Sequence, residues 1–163
     1  LDYSRLERSQ LQIGKIKIKD LINSVLSMYT EELEAGYFQL NTKIEDIEIV
    51  ADSKGLVIAF RNLIENAIKF TKEKTNPTIK IEIKETDTSW IISVNDNGIG
   101  FDMQYHHKIF DIFQRLQRAE DFPGTGIGLA LVSKAMQRMH GKTWAESVLA
   151  VGSTFYLEIP KNQ

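Results

Sequence analysis

The 163-residue sequence contains no cysteine, which excludes disulfide bonds and thiolate zinc sites. It also contains no apolar run of membrane-spanning length. The formal net charge is −2, so no excess of positive charge favours nucleic acid as a partner. These absences favour a reducing, cytoplasmic location for the chain, and they leave open a membrane anchor elsewhere in a longer parent protein.

The composition that remains is typical of one globular domain. Apolar residues make up 42% and charged residues 26% of the chain, and its length is sufficient to bury a core without covalent cross-links. The chain begins with Leu1 and not with Met. We therefore expect it to be a fragment of a longer protein.

Apolar spacing predicts alternating strands and helices along the chain. We expect the end of a helix over 1–12, a strand near 16–18, a helix over 20–36, strands over 37–44 and 47–50, a helix over 52–71, strands over 78–85 and 89–95, an irregular stretch over 96–126, a helix over 127–140, and strands near 142–147 and 153–159. Because the strands cluster in pairs, this order favours a mixed, largely antiparallel sheet with helices on one face.

The helix over 52–71 carries an unusual polar stripe. Asn62, Asn66 and Lys69 fall within about 60° of one another on a helix, nearly opposite the apolar face. Asparagine is a poor residue for a helix interior, and its amide oxygen suits Mg²⁺. Lys69 is placed to meet a phosphate. A solvated polar face is the alternative interpretation.

A first glycine-rich segment, 96–100, follows a strand directly. Gly98 and Gly100 allow a flat ligand to approach the backbone. The carboxylate of Asp96 could accept a hydrogen bond from an exocyclic amine such as that of adenine. The alternative is a tight turn of the Asn-Gly type, although no strand follows at hairpin distance.

A second glycine-rich segment, 124–129, leads directly into an apolar helix. Backbone N–H groups and the helix dipole at such a junction attract phosphate. The segment has neither the Rossmann glycine pattern nor the Gly-Lys-Ser/Thr ending of a phosphate loop. A plain entry into a helix would tolerate the same residues.

Aromatic residues lie between the two glycine segments. Phe110 and Phe113 could seat a mobile flap on the core, and Arg115 could then reach the phosphates. The alternative is a short core helix that carries one surface arginine.

In their order along the chain, these segments resemble the sequence boxes of sensor histidine kinases. The N box matches 62–70, the first glycine box 96–100, the F box 110–113, the second glycine box 124–129 and the third 152–155. The resemblance covers about residues 16–160. One departure is Ala150, where the third glycine box usually has a further glycine, and it puts the close turn there in question.

The resemblance implies the Bergerat (GHKL) fold. This is a two-layer α/β sandwich whose mixed, mostly antiparallel sheet of about five strands, plus a short hairpin, is covered on one face by three helices. Residues 1–14 would be the C-terminal end of a dimerisation and phosphotransfer helix. Residues 15–163 would form an ATP-binding catalytic domain with an ATP lid at about 101–123.

The resemblance also implies ATP and Mg²⁺ as cofactors, with Asn66 as the Mg²⁺ ligand and Asp96 as the reader of adenine. Asn66, Lys69 and Arg115 would be catalytic, and Thr154 would support Asp96 through water. The implied nucleotide contacts are Asn62, Asn66, Lys69, Phe70, Asp96, Gly98, Gly100, Phe113, Gly124, Thr125, Gly126, Ile127, Gly128, Leu129 and Thr154.

The implied activity is transfer of the γ-phosphoryl group to a histidine of the dimerisation domain, then to a response-regulator aspartate. No histidine of this chain lies in a His-Glu/Asp-x-Arg setting, so the phosphoacceptor belongs to a domain outside it. We expect a homodimeric parent, whereas this fragment could be a monomer.

Two further enzymatic interpretations and one non-catalytic interpretation stay open. ATPases of this fold place a glutamate general base where this chain has Asn62, and an amide cannot accept a proton at neutral pH. Glu65 lies about 100° around the helix from Asn66 and is a minor candidate for a polarising role. The second enzyme class is a serine kinase of the anti-sigma-factor type. The non-catalytic interpretation is a degenerate module that signals by protein contact.

Overall fold

The computed structural model describes residues 2–111 and 127–163. The elements are α1 (Asp2–Arg8), β1 (Ile13–Lys17), α2 (Ile18–Ser27), α3 (Thr30–Ala35), β2 (Gln39–Lys43), β3 (Glu48–Asp52), α4 (Ser53–Phe70), β4 (Thr78–Glu85), β5 (Ser89–Asp96), α5 (Gly128–Arg138), β6 (Lys142–Val148) and β7 (Gly152–Pro160). Two 3₁₀ turns, Met103–Tyr105 and Lys108–Phe110, follow β5. None of the described helices combines the length and apolar character that a membrane span needs.

Five strands form one twisted sheet in the order β2-β4-β5-β7-β6. Strands β2 and β4 run parallel, and the other neighbours are antiparallel. Strand alternation turns one face of the sheet inward, and Ile81, Val94 and Leu157 on that face are at most 1% exposed. The mixed, mostly antiparallel sheet predicted from the sequence is confirmed.

Helices cover the inward face of this sheet. The apolar face of α4 is fully buried, with Leu56, Phe60 and Leu63 each 1% exposed. Helix α5 packs beside α4, and its Val132 and Met136 are both 0% exposed. Because the core lies between the helices and the sheet, the opposite face of α4 is left available to bind a ligand.

Three local expectations are wrong. The predicted helix over 20–36 is two helices, because α2 ends at Ser27 and a turn at Met28 and Tyr29 separates it from α3. The strand predicted near 16–18 is β1, and Ile18 already begins α2. The short extra sheet is not a hairpin. It pairs β1 with β3 across α2, α3 and β2, with buried Ile16 opposite buried Ile49.

Arg138, in the last turn of α5, holds α1 against the rest of the fold. Its guanidinium donates to the backbone oxygens of Leu6 and Ser9. It also donates to the Ser9 hydroxyl at 2.8 Å. Leu6 is only 2% exposed, so α1 contributes to the core and is more than an attached tail.

We expect Arg138→Ala to lower the free energy of unfolding by about 1.5–3 kcal/mol, the usual range for hydrogen bonds from a charged group. Amide exchange in α1 should accelerate. Lys134→Ala is the matched control, because its ion pair with Glu7 (3.5 Å) is partly exposed and contributes less than about 1 kcal/mol. Equal urea midpoints for the two variants would show that the guanidinium does not hold α1.

Candidate functional site

The polar stripe of α4 lies at the edge of the core. Asn62, Asn66 and Lys69 are half-buried, whereas Leu63 and Ala67 on the opposite face are fully buried. The spacing that predicted the stripe is therefore confirmed as a partly exposed polar surface backed by the core. Half-buried polar groups are partly desolvated, which strengthens their interaction with a charged ligand.

Asn62 joins the stripe to the start of α5. Its Nδ2 donates to the backbone oxygen of Ile58 at 2.7 Å. Its Oδ1 would lie 3.0 Å from a Cβ placed on Gly128, so glycine allows this close approach. The nitrogen is therefore engaged within α4, and the oxygen lies close to the first turn of α5. A phosphate contact, which needs the amide as donor, stays a prediction for Asn62.

The first glycine segment closes onto the C-terminal end of α4. The N–H of Gly98 donates to Asp96 Oδ1 at 2.8 Å, and Ile99 N–H donates to the Phe70 backbone oxygen at 3.0 Å. A Cβ at Gly98 would lie 2.4 Å from that oxygen, so only glycine fits. The Nζ of Lys69 lies 5.1 Å from the centroid of the Phe70 ring. The close approach thus brings Asp96 to the end of α4 that carries Lys69 and Phe70.

The segment then binds to the β6–β7 hairpin. Gly100 has φ +67°, and a Cβ there would meet the Val148 backbone oxygen at 2.2 Å. Ala150 N–H donates to the Ile99 oxygen at 2.7 Å, and Ala150 itself has φ +66°. Alanine therefore adopts the left-handed conformation for which glycine is usual, and the close turn forms.

Asp96 is a buried carboxyl group, 5% exposed. Burial raises its pKa to about 6, against the opposing effect of hydrogen bonds from the backbone N–H groups of Gly98 and Ser153. A carboxylate held in so little water interacts strongly with a hydrogen-bond donor that reaches it. The arrangement is suited to recognise an amino group on an otherwise apolar ligand.

The prediction that Thr154 supports Asp96 is wrong. Asp96 is paired with Ser153 across the β5–β7 ladder, so these two side chains share the inward face. Thr154 points to the opposite face, where its hydroxyl accepts from Asn95 Nδ2 at 2.8 Å. Strand alternation could have shown this, since Phe155 is an inward core residue and Ser153, two positions earlier, must share its face.

The described part of the segment after Gly100 is fixed on the core by aromatic residues. The Phe110 ring contacts Phe155 edge-on with centroids 6.4 Å apart, and Ile109 is 7% exposed. The predicted seating of Phe110 on the core is therefore observed. Several predicted contacts lie outside the described residues: Phe113, Arg115, Gly124, Thr125 and Gly126. Ile127, Gly128 and Leu129 are half-buried at the beginning of α5.

Glu65, adjacent to Asn66 in sequence, is engaged elsewhere. Its Oε1 accepts from the Tyr29 hydroxyl at 2.6 Å and lies 4.0 Å from Arg61 Nη2. Burial is the main cause that raises the pKa of Tyr29, so the phenol stays a donor. These contacts direct the carboxylate towards α2 and α3, and they do not support a polarising role.

The described residues contain too few ligating side chains to bind a metal ion in the absence of a bound small molecule. Within 2–111 and 127–163, no group of three or more His, Cys, Asp or Glu side chains could hold one. A divalent ion in this site would take most of its oxygen ligands from a bound phosphate ligand and water, with the Asn66 amide oxygen as the contribution of the protein. The donor set therefore fits Mg²⁺ delivered with a polyphosphate.

Comparison with known proteins gives consistent matches. Residues 51–163 match the family described as "Histidine kinase-, DNA gyrase B-, and HSP90-like ATPase". Cyanobacterial phytochrome A of Nostoc sp. is 46% identical over 161 residues, which cover 98% of this chain and 21% of that protein. The chain therefore spans about a fifth of the length of this relative.

Solved structures agree with the sequence matches. The nucleotide-free catalytic domain of histidine kinase ThkA superposes with a TM-score of 0.79 at 28% identity, covering 93% of this chain and 99% of that domain. A structure of ThkA in complex with response regulator protein TrrA matches with a TM-score of 0.78 at 27% identity, covering 98% of this chain and 46% of the other.

Proposed function

The chain belongs to the family of histidine kinase-, DNA gyrase B- and HSP90-like ATPases, and on that premise we propose that it binds Mg·ATP as the catalytic domain of a two-component sensor histidine kinase. The observation that carries this proposal is the approach of Gly98 to the end of α4. That approach brings the buried carboxyl of Asp96 to the same end of α4 as Lys69 and Phe70.

In this proposal each residue acts on one part of the nucleotide. Asp96 accepts a hydrogen bond from the adenine amino group, and Phe70 lines the adenine pocket. Lys69 donates to the phosphates, and the amide oxygen of Asn66 holds Mg²⁺. The ion, when bound, neutralises charge that spreads over the transferring phosphoryl oxygens. Catalysis by these residues is positional and electrostatic.

The acceptor is a histidine of the dimerisation domain. Asn62 stands where hydrolytic relatives of the fold have a glutamate, and its amide cannot activate water as a general base. We therefore favour transfer to an imidazole over hydrolysis. Helix α1 would be the end of the dimerisation helix, within residues 1–14, and residues 15–163 the catalytic domain, in a cytoplasmic part of a homodimeric parent.

The onward acceptor is an aspartate of a response-regulator receiver domain. The structure of ThkA with its response regulator supports this assignment, because the same kinase is also similar to this chain in sequence and fold. No nucleic-acid partner is proposed.

The test uses this chain, ATP labelled in the γ-phosphate, Mg²⁺ and the dimerisation domain of the parent protein supplied separately. We expect label on that domain that is lost in acid and kept in base, as phosphohistidine is. Acid-stable label would favour a serine kinase, and release of phosphate without an acceptor would favour an ATPase. Failure of the wild-type chain to bind Mg·ATP in calorimetry would favour a degenerate module.

A further inference from the structure

We infer that Ser147 is a positioning residue that sets nucleotide specificity. Its hydroxyl accepts the hydrogen bond that the Ser153 hydroxyl donates, so Ser153 can only accept hydrogen bonds on the side that faces Asp96. This inference rests on the proposed function and deepens it. It assigns a role in base selection to a β6 residue that the sequence motifs did not include.

Three hydrogen bonds meet at the Ser147 hydroxyl. The N–H of Phe101 donates to Ser147 Oγ at 2.8 Å. Ser147 Oγ lies 2.9 Å from the Gly152 backbone oxygen and 2.8 Å from Ser153 Oγ. The β6–β7 register pairs Ser147 with Ser153, and the β5–β7 register pairs Ser153 with Asp96. The three side chains therefore lie in a row on the inward face of the sheet.

Counting protons fixes the direction of these bonds. A serine hydroxyl donates one hydrogen and accepts at two lone pairs. The Gly152 oxygen can only accept, and the Phe101 N–H can only donate. All three contacts are hydrogen bonds only if Ser147 donates to Gly152 and accepts from both Phe101 and Ser153. The proton of Ser153 therefore points towards Ser147 and away from Asp96.

The surroundings of Asp96 agree with this direction. The hydrogen bonds that lower the pKa of Asp96 come from the backbone N–H groups of Gly98 and Ser153 and not from the Ser153 hydroxyl. Ser153 is only 7% exposed, so its free lone pairs lie in the same nearly dry environment as the carboxyl. Two acceptors are thus placed side by side on one face.

Two adjacent acceptors suit an amino group, which has two hydrogens to donate. A 6-aminopurine presents such a group, whereas a 6-oxopurine presents an oxygen that would face both acceptors without a hydrogen between them. Mismatches of this kind leave buried polar groups unpaired and are rejected strongly. Ser147 enforces the preference because it stops Ser153 from rotating to become a donor.

The same hydroxyl also binds the first residue of the segment that follows Gly100. The Phe101 N–H that it accepts is the first backbone donor after Gly100. Phe101 is 8% exposed and its ring lies 6.3 Å from that of Phe155. Loss of the Ser147 oxygen would therefore disturb both base selection and the anchoring of the Phe101 backbone.

The experiment compares affinities of this chain for Mg·ATP and Mg·ITP, which have the same phosphates and differ in the purine at the 6-position and at the adjacent N1. We expect the preference for ATP to fall about tenfold in Ser147→Ala, the loss that one hydrogen bond predicts. Ser147→Thr keeps the hydroxyl and should keep the wild-type ratio. Ser93→Ala, on the opposite face of β5, is the matched control and should change nothing.

A double-mutant cycle separates specificity from stability. If Ser147 acts through Ser153, then Ser153→Ala alone lowers the ratio of the affinity for Mg·ATP to that for Mg·ITP. Adding Ser147→Ala to Ser153→Ala then lowers this ratio no further. A Ser147→Ala protein that melts earlier but keeps the wild-type ratio would overturn the inference, as would a wild-type ratio in Ser153→Ala. Wild-type chain that binds neither nucleotide would overturn the proposed function as well.

Discussion

Asp96→Asn should make the nucleotide-free protein more stable. Burial raises the pKa of Asp96 from 3.8 to about 6, so at pH 7.5 the folded chain carries a carboxylate that it holds less favourably than the unfolded chain does. A shift of this size corresponds to a cost of roughly 3 kcal/mol, an upper limit because burial is incomplete. The neutral amide of the variant avoids this cost. We therefore expect urea unfolding to show a free energy of unfolding about 1–3 kcal/mol higher than that of the wild type.

The pH dependence of this gain has a defined sign. Because the folded pKa is raised, the stabilising effect of protonation is complete below about pH 3.8 and is lost as the pH rises through about 6. The stability difference between Asp96→Asn and the wild type should therefore be small near pH 4 and largest above pH 7. A constant difference across this range would show that the effect does not come from ionisation of Asp96.

The same substitution should weaken adenine binding about 100-fold. Gly98 N–H donates to Asp96 Oδ1. In the variant the amide oxygen would stay on Gly98 and the NH₂ group would face the amino group of the base, so a donor meets a donor. Loss of a charge-assisted hydrogen bond accounts for an effect of this size. Calorimetry with ATP, with and without Mg²⁺, should show the same loss in both conditions.

Asn66→Ala should remove most of the contribution of Mg²⁺ to ATP binding. Its amide is half-buried on the stripe, and the described residues contain no acidic or histidine cluster that could replace it. We expect affinity for Mg·ATP to fall about 10–100-fold, the range known for disturbed metal sites, with little change when EDTA removes the metal. The measurement is calorimetric titration in both conditions.

Asn41→Ala is the control for this prediction. Asn41 lies on β2 with an exposed side chain, away from the stripe, and its replacement should leave both titrations unchanged. An equal loss of affinity with and without the metal would assign Asn66 to the phosphates or to local folding. Unchanged affinity in both conditions would show that Asn66 is not a ligand of the metal.

The sequence predicted those features that depend on periodicity along one element. Strict alternation predicted β4, and the apolar spacing in α4 predicted which face would carry Asn62, Asn66 and Lys69. The polar stripe was predictable because core burial on one side of a helix determines what the other side presents.

Features that depend on pairing between distant segments could not be predicted in this way. The antiparallel pairing of β1 with β3 depends on tertiary contacts across two helices and a strand. The raised pKa of Asp96 depends on its burial beside β7, and the role of Ser147 depends on two strand registers together. The support of Asp96 was assigned to Thr154, although side-chain alternation from Phe155 already places Ser153, and not Thr154, on the face of Asp96.

Helix α5 links two contacts at opposite ends of its 11 residues, a distance of about 16 Å. At one end Gly128 lies against the Asn62 amide, and at the other Arg138 holds the backbone of α1. Because a packed helix moves nearly as a rigid rod, a rotation or shift of α1 that carries Arg138 with it also displaces Gly128 relative to Asn62. A displacement of the amino-terminal helix would therefore be felt at Gly128, beside the polar stripe of α4.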